Sequence, residues 1–252
     1  PLKSLEIGLS RTAIMCGDGR PCDLEAFFNM LIGNDNVGDD ISAEDEPGDQ
    51  RAGFDVRWSG HLASQPLALY TQWIGEDETN FFPTDWLAQY GAETWGQWDR
   101  LGSYRFFFEW SDTMCDYRLY RSIRGDSGDV GGECAYNHGT YITGYRDRGR
   151  SIGHSFDNDA SVFTLGSSLT GRRANTWYGT IAYGNLNRIT NPDPRNNVAQ
   201  VKTRYGQIEL MHRRSIIVGE IHLGLGYEYR KNTVTDVSDD EVHAFLEWQG
   251  TF

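Results

Sequence analysis

Apolar and polar residues alternate along most of this chain. In the segment 215–231, every second residue from Ile221 to Tyr229 is apolar, and Glu220, His222 and Glu228 stand at intervening positions. Alternation with a period of two is typical of a β-strand whose two faces meet different surroundings. The pattern predicts ten strands, near residues 4–15, 54–59, 66–76, 84–96, 104–110, 158–170, 173–187, 201–213, 215–231 and 240–252.

The residue types on the two faces favour a membrane barrel over a soluble sandwich. Both architectures alternate, but the water-facing side of a sandwich usually carries scattered Lys, Thr and Ser. Here the polar face carries Glu, Asp, Arg, Gln and Gly, and the apolar face ends in aromatic residues. Aromatic residues at strand ends are typical of the girdles at the two membrane surfaces. They are Trp177 and Tyr183, Tyr227 and Tyr229, and Trp248 and Phe252.

The links between the predicted strands alternate in length. Short links fall near 60–65, 97–101, 170–173 and 213–215, and longer ones at 16–49, 76–84, 115–157, 188–200 and 232–239. Short turns at one end and long loops at the other are typical of outer-membrane barrels. The chain is therefore predicted to be all-β, an antiparallel transmembrane β-barrel with long extracellular loops. Residues Leu24–Ile32 in the first loop predict a short amphipathic helix over the barrel mouth.

Charge and hydropathy exclude two other classes. The 252 residues include 36 acidic and 23 basic side chains, a net charge of −13. Because nucleic-acid binding relies on basic residues that contact phosphates, no nucleic-acid partner is expected. The longest wholly apolar runs, such as Phe106–Phe108, are far too short for a transmembrane helix.

The four cysteines fall into two local pairs, Cys16 with Cys22 and Cys115 with Cys134. Four cysteines allow three pairings, and the local one fits long loops exposed to an oxidising compartment. We therefore predict those two disulfides. The alternative is four unrelated buried thiols.

The loop 16–49 carries ten acidic residues against Arg20 alone. Clustered carboxylates can bind Ca²⁺, but the DxDxDG spacing of a dedicated calcium loop is missing. Most charge runs are simply solvated. No other cofactor is expected, and Ca²⁺ at this loop stays an open alternative.

Catalysis is not indicated by any local motif. The sequence contains no GxSxG, HExxH or phosphate-binding loop. Glu76, Asp77 and Glu78 form an acidic cluster, but neighbouring positions do not define a cleft. His154 and Ser155 are adjacent, and adjacent residues on a strand face opposite ways. We expect a protein that is not an enzyme.

Several stretches resemble one known family, the capsule assembly Wzi family. They are YNHGTY (136–141), GYR (144–146), GRSIGHSFDNDA (149–160), GFDVRW (53–58), PLALY (66–70) and GEDE (75–78). The resemblance implies a Gram-negative outer-membrane barrel of 18 strands that acts as a surface lectin for capsular polysaccharide. Residues 1–252 would then form the C-terminal part of that single domain. Expected partners are the polysaccharide, outer-membrane lipid and the barrel insertion machinery, which would read the final strand ending in Phe252.

The loop 115–157 contains the side chains suited to a saccharide. Aromatic rings stack on the apolar faces of sugars, and forked arginines pair with sugar carboxylates. The predicted polysaccharide-binding residues are Tyr136, His138, Tyr141, Tyr145, Arg146, Arg150, His154 and Asp157. The alternative is that these residues only fasten the loop into the barrel. Two other functions stay open: an outer-membrane porin or saccharide channel, and a soluble secreted carbohydrate-active protein.

Overall fold

The computed structural model describes residues 4–17, 19–32, 42, 46–79, 82–115, 135–171, 175–189 and 191–250. Its one helix in these ranges is α1 (Leu24–Ile32). The strands are β1 (Leu5–Met15), β2 (Gly48–Leu62), β3 (Gln65–Thr79), β4 (Phe82–Trp98), β5 (Gly102–Asp112), β6 (Arg146–Asp147), β7 (Arg150–Ser151), β8 (Ser161–Thr170), β9 (Thr176–Leu186), β10 (Thr203–Ile216), β11 (Gly219–Asn232) and β12 (Ser238–Gly250).

Ten of the strands form one antiparallel sheet in the order β1-β2-β3-β4-β5-β8-β9-β10-β11-β12. Each strand of this sheet pairs with the sheet strand that follows it along the chain, so the sheet is a continuous meander. The strands β6 and β7 form a separate small hairpin in the connection between β5 and β8. The prediction of ten antiparallel strands is confirmed. Within the described residues β1 and β12 are the two edges. The assignment of 1–252 to a single barrel domain stays a prediction.

The register gathers most apolar side chains on one face of the sheet and most polar ones on the other. Leu9 is opposite Phe54, Phe54 is opposite Trp73, and the same apolar face continues to Leu225 and Leu246 on the last strands. These side chains stay open to the surroundings, with Leu9 86% and Leu246 71% exposed. The polar face instead carries ion pairs, such as Glu93 with Arg105 at 2.5 Å and with Arg57. The sheet is therefore apolar on the side that the chain leaves uncovered.

Aromatic rings on the apolar face form rows near both ends of the strands. We call the end from which the β5–β8 and β9–β10 links emerge the loop end, and the opposite end the turn end. At the loop end, ring centroids lie 5.9 Å apart for Phe54 and Trp73, 5.6 Å for Tyr90 and Trp110, and 5.9 Å for Trp110 and Phe163. At the turn end, Trp98 stacks on Tyr104 at 4.4 Å.

The turn-end links are short, as predicted. Between β2 and β3, Ala63 and Ser64 have φ values of 47° and 75°, and two central residues with positive φ give a type I′ hairpin. Two links predicted to be long at the loop end are not. Only residues 80 and 81 separate β3 from β4, and five residues separate β11 from β12. The predicted loops 76–84 and 232–239 are short because these strands continue beyond the apolar pattern.

The buried core lies on the polar face at the loop end, where loops fold onto the strands. One cluster packs Val162, Ala182, Leu186 and Tyr205 under Ala199 of the β9–β10 link. A second packs Leu87 of β4 under Cys115, Ala135 and Tyr136. The buried apolar residues of the polar face thus lie where a loop covers it.

The helix α1 has the predicted bounds, and both of its ends are capped. The Asp23 carboxylate accepts a hydrogen bond from the Ala26 N–H at 2.8 Å, a typical N-cap. The Arg11 guanidinium donates to the carbonyl oxygens of Met30 and Leu31 at 2.6 and 2.8 Å. Arg11 lies on the apolar face, so the end of the helix is held at that side rather than over the mouth. No helix in the described part of the chain is long and apolar enough to cross a membrane.

Candidate functional site

A cavity of about 420 Å³ lies at the loop end of the polar face, between strands β1–β5 and the loop 135–160. This volume falls in the range of roughly 300–1,000 Å³ that small-ligand pockets occupy. The strands contribute Thr12, Arg51, Gln72, Ile74, Leu87, Ala88, Gln89 and Asp112, and the rest of the lining is Thr113, Tyr136, Tyr145, Ile152, Gly153, His154 and Ser155.

The covering loop is held in shape by its own backbone. The Tyr145 N–H donates to the Tyr136 carbonyl at 3.2 Å, which closes residues 136–145 into a compact loop. Gly144 has a φ of 60°, and a Cβ there would lie 2.2 Å from the Tyr136 oxygen. Only glycine fits that approach. The chain then turns back through the β6–β7 hairpin, where Arg148 and Gly149 have φ values of 50° and 81°.

Arg51 of β2 is a buried cation at the wall of the cavity. Its guanidinium carbon lies 5.1 Å from the Tyr136 ring centroid and 4.6 Å from that of Tyr145. It pairs with Asp49 at 3.1 Å and with Glu76. Two carboxylates therefore compensate one guanidinium, and this part of the cavity is not electropositive. The two tyrosine rings are stabilised by the cation between them.

Tyr136 and His154 are joined across the covering loop. The buried Tyr136 hydroxyl accepts a hydrogen bond from the His154 N–H at 2.9 Å, and burial raises the pKa of this phenol. Burial lowers the pKa of the His154 imidazole from 6.5 to about 4. Its Nδ1 accepts the Phe156 N–H at 3.2 Å, which requires that nitrogen to be unprotonated. The imidazole is neutral at pH 7.

Two glutamines on the polar face bring side-chain amides to the cavity. Gln72 of β3 and Gln89 of β4 stand directly opposite each other and both line the cavity. Among the described residues, neither side-chain amide has a hydrogen-bond partner. An amide offers both donors and an acceptor, the combination that pairs with sugar hydroxyls. These glutamines can therefore bind a polyhydroxylated ligand without breaking a contact to the described part of the chain.

Arg146 and Asp157 are brought together, but in the interior of the loop. Arg146 Nη1 donates to Asp157 Oδ2 at 2.7 Å, and both side chains are buried. Arg146 also reaches Asn137 and Asn158 at 3.4 Å. Asp157 further accepts the Asn197 N–H at 3.2 Å, which ties the loop to the β9–β10 link. Arg146 and Asp157 therefore help to hold the loop 135–160 against the β9–β10 link.

Asp193 of the β9–β10 link also joins these two loops. Its carboxylate accepts hydrogen bonds from Asn137 at 2.7 Å, Asn158 at 2.9 Å and Arg195 at 2.9 Å. Burial alone would raise the pKa of Asp193, but the hydrogen bonds from Arg195 and Asn137 outweigh it and hold the pKa below its usual value. The two long loops therefore share one buried polar network.

The other predicted residues differ in accessibility. His138 Nδ1 accepts the Tyr141 N–H at 2.8 Å, and its Nε2 lies 3.2 Å from Glu46. Tyr141 is buried, and a Cβ on Gly17 would overlap its ring. Arg150 is exposed, and its side chain has no hydrogen bond or ion pair with any described residue. Tyr136, Tyr141, Arg146 and Asp157 are thus buried, His138, Tyr145 and His154 are half-buried, and Arg150 is open. Their role in polysaccharide binding stays a prediction.

Arg51, Gln72 and Gln89 were missed from the sequence because they lie on strands, where their polar side chains fit the ordinary alternation. The signal that could have located them is local. On the polar face, Ile74 and Leu87 face each other next to these residues and interrupt the polar pattern, and this apolar pair is where residues 135–160 pack.

Of the predicted disulfides, Cys16–Cys22 is present in the structure. Cys115 is disulfide-bonded, but its predicted partner Cys134 lies outside the described residues. Of the ten acids proposed for Ca²⁺, six lie outside as well, and the described Glu46 and Asp49 pair with His138 and Arg51. The described ranges contain no cluster of three metal-ligating side chains. Calcium binding and the absence of enzymatic activity stay predictions, and the terminal Phe252 also lies outside the described part.

Comparisons with known proteins give one family model and one curated relative. The family model described as capsule assembly protein Wzi matches residues 1–244. A Klebsiella pneumoniae protein, named as an uncharacterized 55.8 kDa protein in the cps region, is 36% identical over 101 residues, which are 40% of this chain and 19% of that protein.

One solved structure has the same fold. It is described as Wzi, an outer-membrane protein involved in group 1 capsule assembly in Escherichia coli and a carbohydrate-binding β-barrel. It superposes with a TM-score of 0.70 at 23% identity, over 96% of this chain and 47% of that one. The chain therefore spans about half the length of that structure.

Proposed function

Because this chain belongs to the capsule assembly Wzi family, we propose that it forms part of an outer-membrane barrel that attaches capsular polysaccharide to the cell surface. The observation that carries the proposal is the loop-covered cavity at the loop end of the polar face. The similar Escherichia coli structure is described as a carbohydrate-binding β-barrel, which supports a carbohydrate as the ligand.

The apolar face supports placement in a membrane. Its large side chains are uncovered along the whole sheet, from Leu9 on β1 to Leu246 on β12. In water such a surface is unfavourable, at about 25 cal/mol for each Å² of exposed apolar area, whereas lipid covers it without cost. The aromatic rows at both ends of the strands match the two membrane surfaces. The loop end then faces outward, because outer-membrane barrels have their long loops on the extracellular side.

The chemistry of the cavity favours an uncharged sugar unit. Arg51 is the cation at its wall, and Asp49 and Glu76 already compensate it. Gln72 and Gln89 provide unused amides for hydroxyl groups. The residue types of the loop 115–157 predicted forked arginines for sugar carboxylates, but Arg146 is committed to Asp157. Arg150, exposed on the hairpin, can meet an acidic unit outside the cavity.

The covering loop favours attachment over transport. Residues 135–160 pack on the polar face of β3 and β4 through Leu87, Ala135 and Tyr136. The β9–β10 link packs on the neighbouring strands and is joined to the same loop through Asp157. Loops fixed by buried contacts obstruct the path that a general porin needs. The porin or saccharide channel is therefore the less favoured function.

Capsule retention on cells tests the proposal. We expect the double variant Gln72→Leu, Gln89→Leu to release capsular polysaccharide into the medium while leaving the barrel folded. Leucine keeps the approximate volume of glutamine but cannot bond a hydroxyl group. Cell-bound and released polysaccharide would be measured, together with the heat-dependent change in gel migration that reports a folded barrel.

Gln97→Leu is the matched control. Gln97 lies on the same strand as Gln89 and on the same face, but at the turn end, opposite Ser103. This variant should retain capsule normally. Full retention by the double variant, or equal release by the control, would contradict the proposed site.

A further inference from the structure

The helix α1 presents an apolar stripe that nothing in the described structure covers. Leu24, Phe27, Phe28 and Leu31 are exposed by 76%, 41%, 57% and 57%. Their spacing of three, four and seven residues places them on one side of the helix. Ala26 and Met30 are buried on another side, so the helix is docked on the protein while the stripe points away.

The helix is fixed to the apolar face of the sheet. Arg11 bonds the carbonyl oxygens of Met30 and Leu31 and also bonds Gln50. In the β1–β2 register Leu9 is opposite Phe54, Arg11 is opposite Ala52 and Ala13 is opposite Gln50. Arg11 and Gln50 therefore share the face of Phe54, the side that we propose meets lipid. At the other end, the Cys16–Cys22 disulfide and the Asp23 cap precede the first turn.

The neighbouring strand relates the helix end to the loop-end aromatic row. Arg11 is the next residue after Leu9 on the apolar face, toward the loop end, and Leu9 is directly opposite Phe54. The Phe54 ring stacks on Trp73 in that row. The helix end is therefore held beside the aromatic side chains that mark the boundary between acyl chains and headgroups.

We propose that α1 is an interfacial helix whose stripe of Leu24, Phe27, Phe28 and Leu31 inserts into the outer leaflet of the membrane. Amphipathic helices of this kind lie in the plane of the membrane surface with the apolar side at the acyl boundary. The last turn of α1 carries no basic residue, so apolar burial rather than attraction to anionic headgroups holds it there. The proposal rests on the membrane placement argued under Proposed function, because the helix end is held at the face of β1 that would meet lipid.

Photo-crosslinking in intact cells tests this contact. The photoreactive residue p-benzoylphenylalanine would replace Phe28 in the protein folded in its own outer membrane, and adducts would be identified by mass and by lipopolysaccharide-specific staining. We expect a lipid adduct at Phe28. The matched control is Asn29, the adjacent residue on the half-buried side of the same helix, which should give no lipid adduct.

Leu225 on the barrel wall separates the two proposals. A lipid adduct at both Leu225 and Phe28 supports the inference. A lipid adduct at Leu225 but not at Phe28 overturns the inference while membrane placement stands. An adduct between Phe28 and a second copy, another protein or another segment of the same chain also overturns it. Loss of lipid adducts at both positions overturns membrane placement itself.

Discussion

Three arginines near the proposed site show how surroundings decide the role of one residue type. Arg51 is buried between two tyrosine rings and two carboxylates, so it stabilises the cavity wall. Arg146 is buried against Asp157 and fastens two loops. Arg150, four residues later, is exposed and uncommitted among the described residues. The sequence placed Arg146 and Arg150 in one category, and only burial distinguishes them.

Arg146→Ala should destabilise the covering loop by about 3–5 kcal/mol. Removal of the guanidinium leaves the Asp157 carboxylate buried and without its ionic partner, which is costly in a low-dielectric interior. Hydrogen exchange of residues 135–160 in the detergent-solubilised protein would report the change. The barrel strands should keep their protection, because the lost contacts lie outside the sheet.

Arg150→Ala is the control for that variant. An exposed side chain without a partner contributes little, so exchange in the loop should change by less than about 0.5 kcal/mol. Equal effects of the two substitutions would show that the Arg146–Asp157 pair does not fasten the loop.

The covering loop should lose stability as the pH falls from about 6.5 to about 4. Burial lowers the pKa of His154 to about 4, so the opened loop binds a proton at a pH where the closed loop does not. Protonation then favours opening, with a loss of roughly 3 kcal/mol once the pH is below both values. Hydrogen exchange or proteolysis of the loop at pH 7 and pH 5 would measure it.

His154→Asn separates this effect from general acid sensitivity. An asparagine oxygen can accept the Phe156 N–H in place of Nδ1, as in an Asx turn, but it does not titrate. The variant should keep the loop closed and lose most of the pH dependence. An unchanged pH dependence in this variant would assign the effect to another group.

At the level of elements, the strands were predictable and the loop contacts were not. Apolar and polar residues alternate along a strand whose two faces meet different surroundings. The ten strands could therefore be predicted from local patterns such as 221–229. The pairing of Asp193 with Asn137 and Asn158 joins residues far apart in the chain. The spacing of residues along the chain does not predict such a contact. The burial of Arg146 and the position of Arg51 could therefore be seen only in the folded structure.

Adjacent residues on β10 test the assignment of the two faces. Leu210 is on the apolar face, opposite Leu225, and Met211 is on the polar face, opposite Gly224. Leu210→Arg should cost about 2–4 kcal/mol in folding into lipid vesicles, because it places a charge in the hydrocarbon region. Met211→Arg lies at the same depth but faces the polar interior, and should cost much less.

Folding of each variant would be followed by the heat-dependent shift in gel migration across a denaturant series. Comparable damage from both substitutions would indicate that both faces are packed, as in a soluble sandwich, and would contradict the membrane placement.

At the scale of the whole molecule, one sheet separates two environments. Its apolar face has aromatic rows at both ends and is left uncovered, whereas its polar face is lined with ion pairs and covered by loops at the loop end. The apolar face accounts for placement in lipid. The covered end accounts for ligand binding, because it is there that the cavity lies beneath residues 135–160.

The binding of purified capsular polysaccharide to the purified protein in detergent tests the central claim most directly. The account predicts saturable binding that weakens about tenfold in the Gln72→Leu, Gln89→Leu variant, because two hydrogen bonds of about 0.5–1.5 kcal/mol each are lost. Gln97→Leu should bind like the wild type. Equal binding by all three proteins would contradict the assignment of the cavity as the saccharide site, and no binding by the folded wild type would contradict the proposed function.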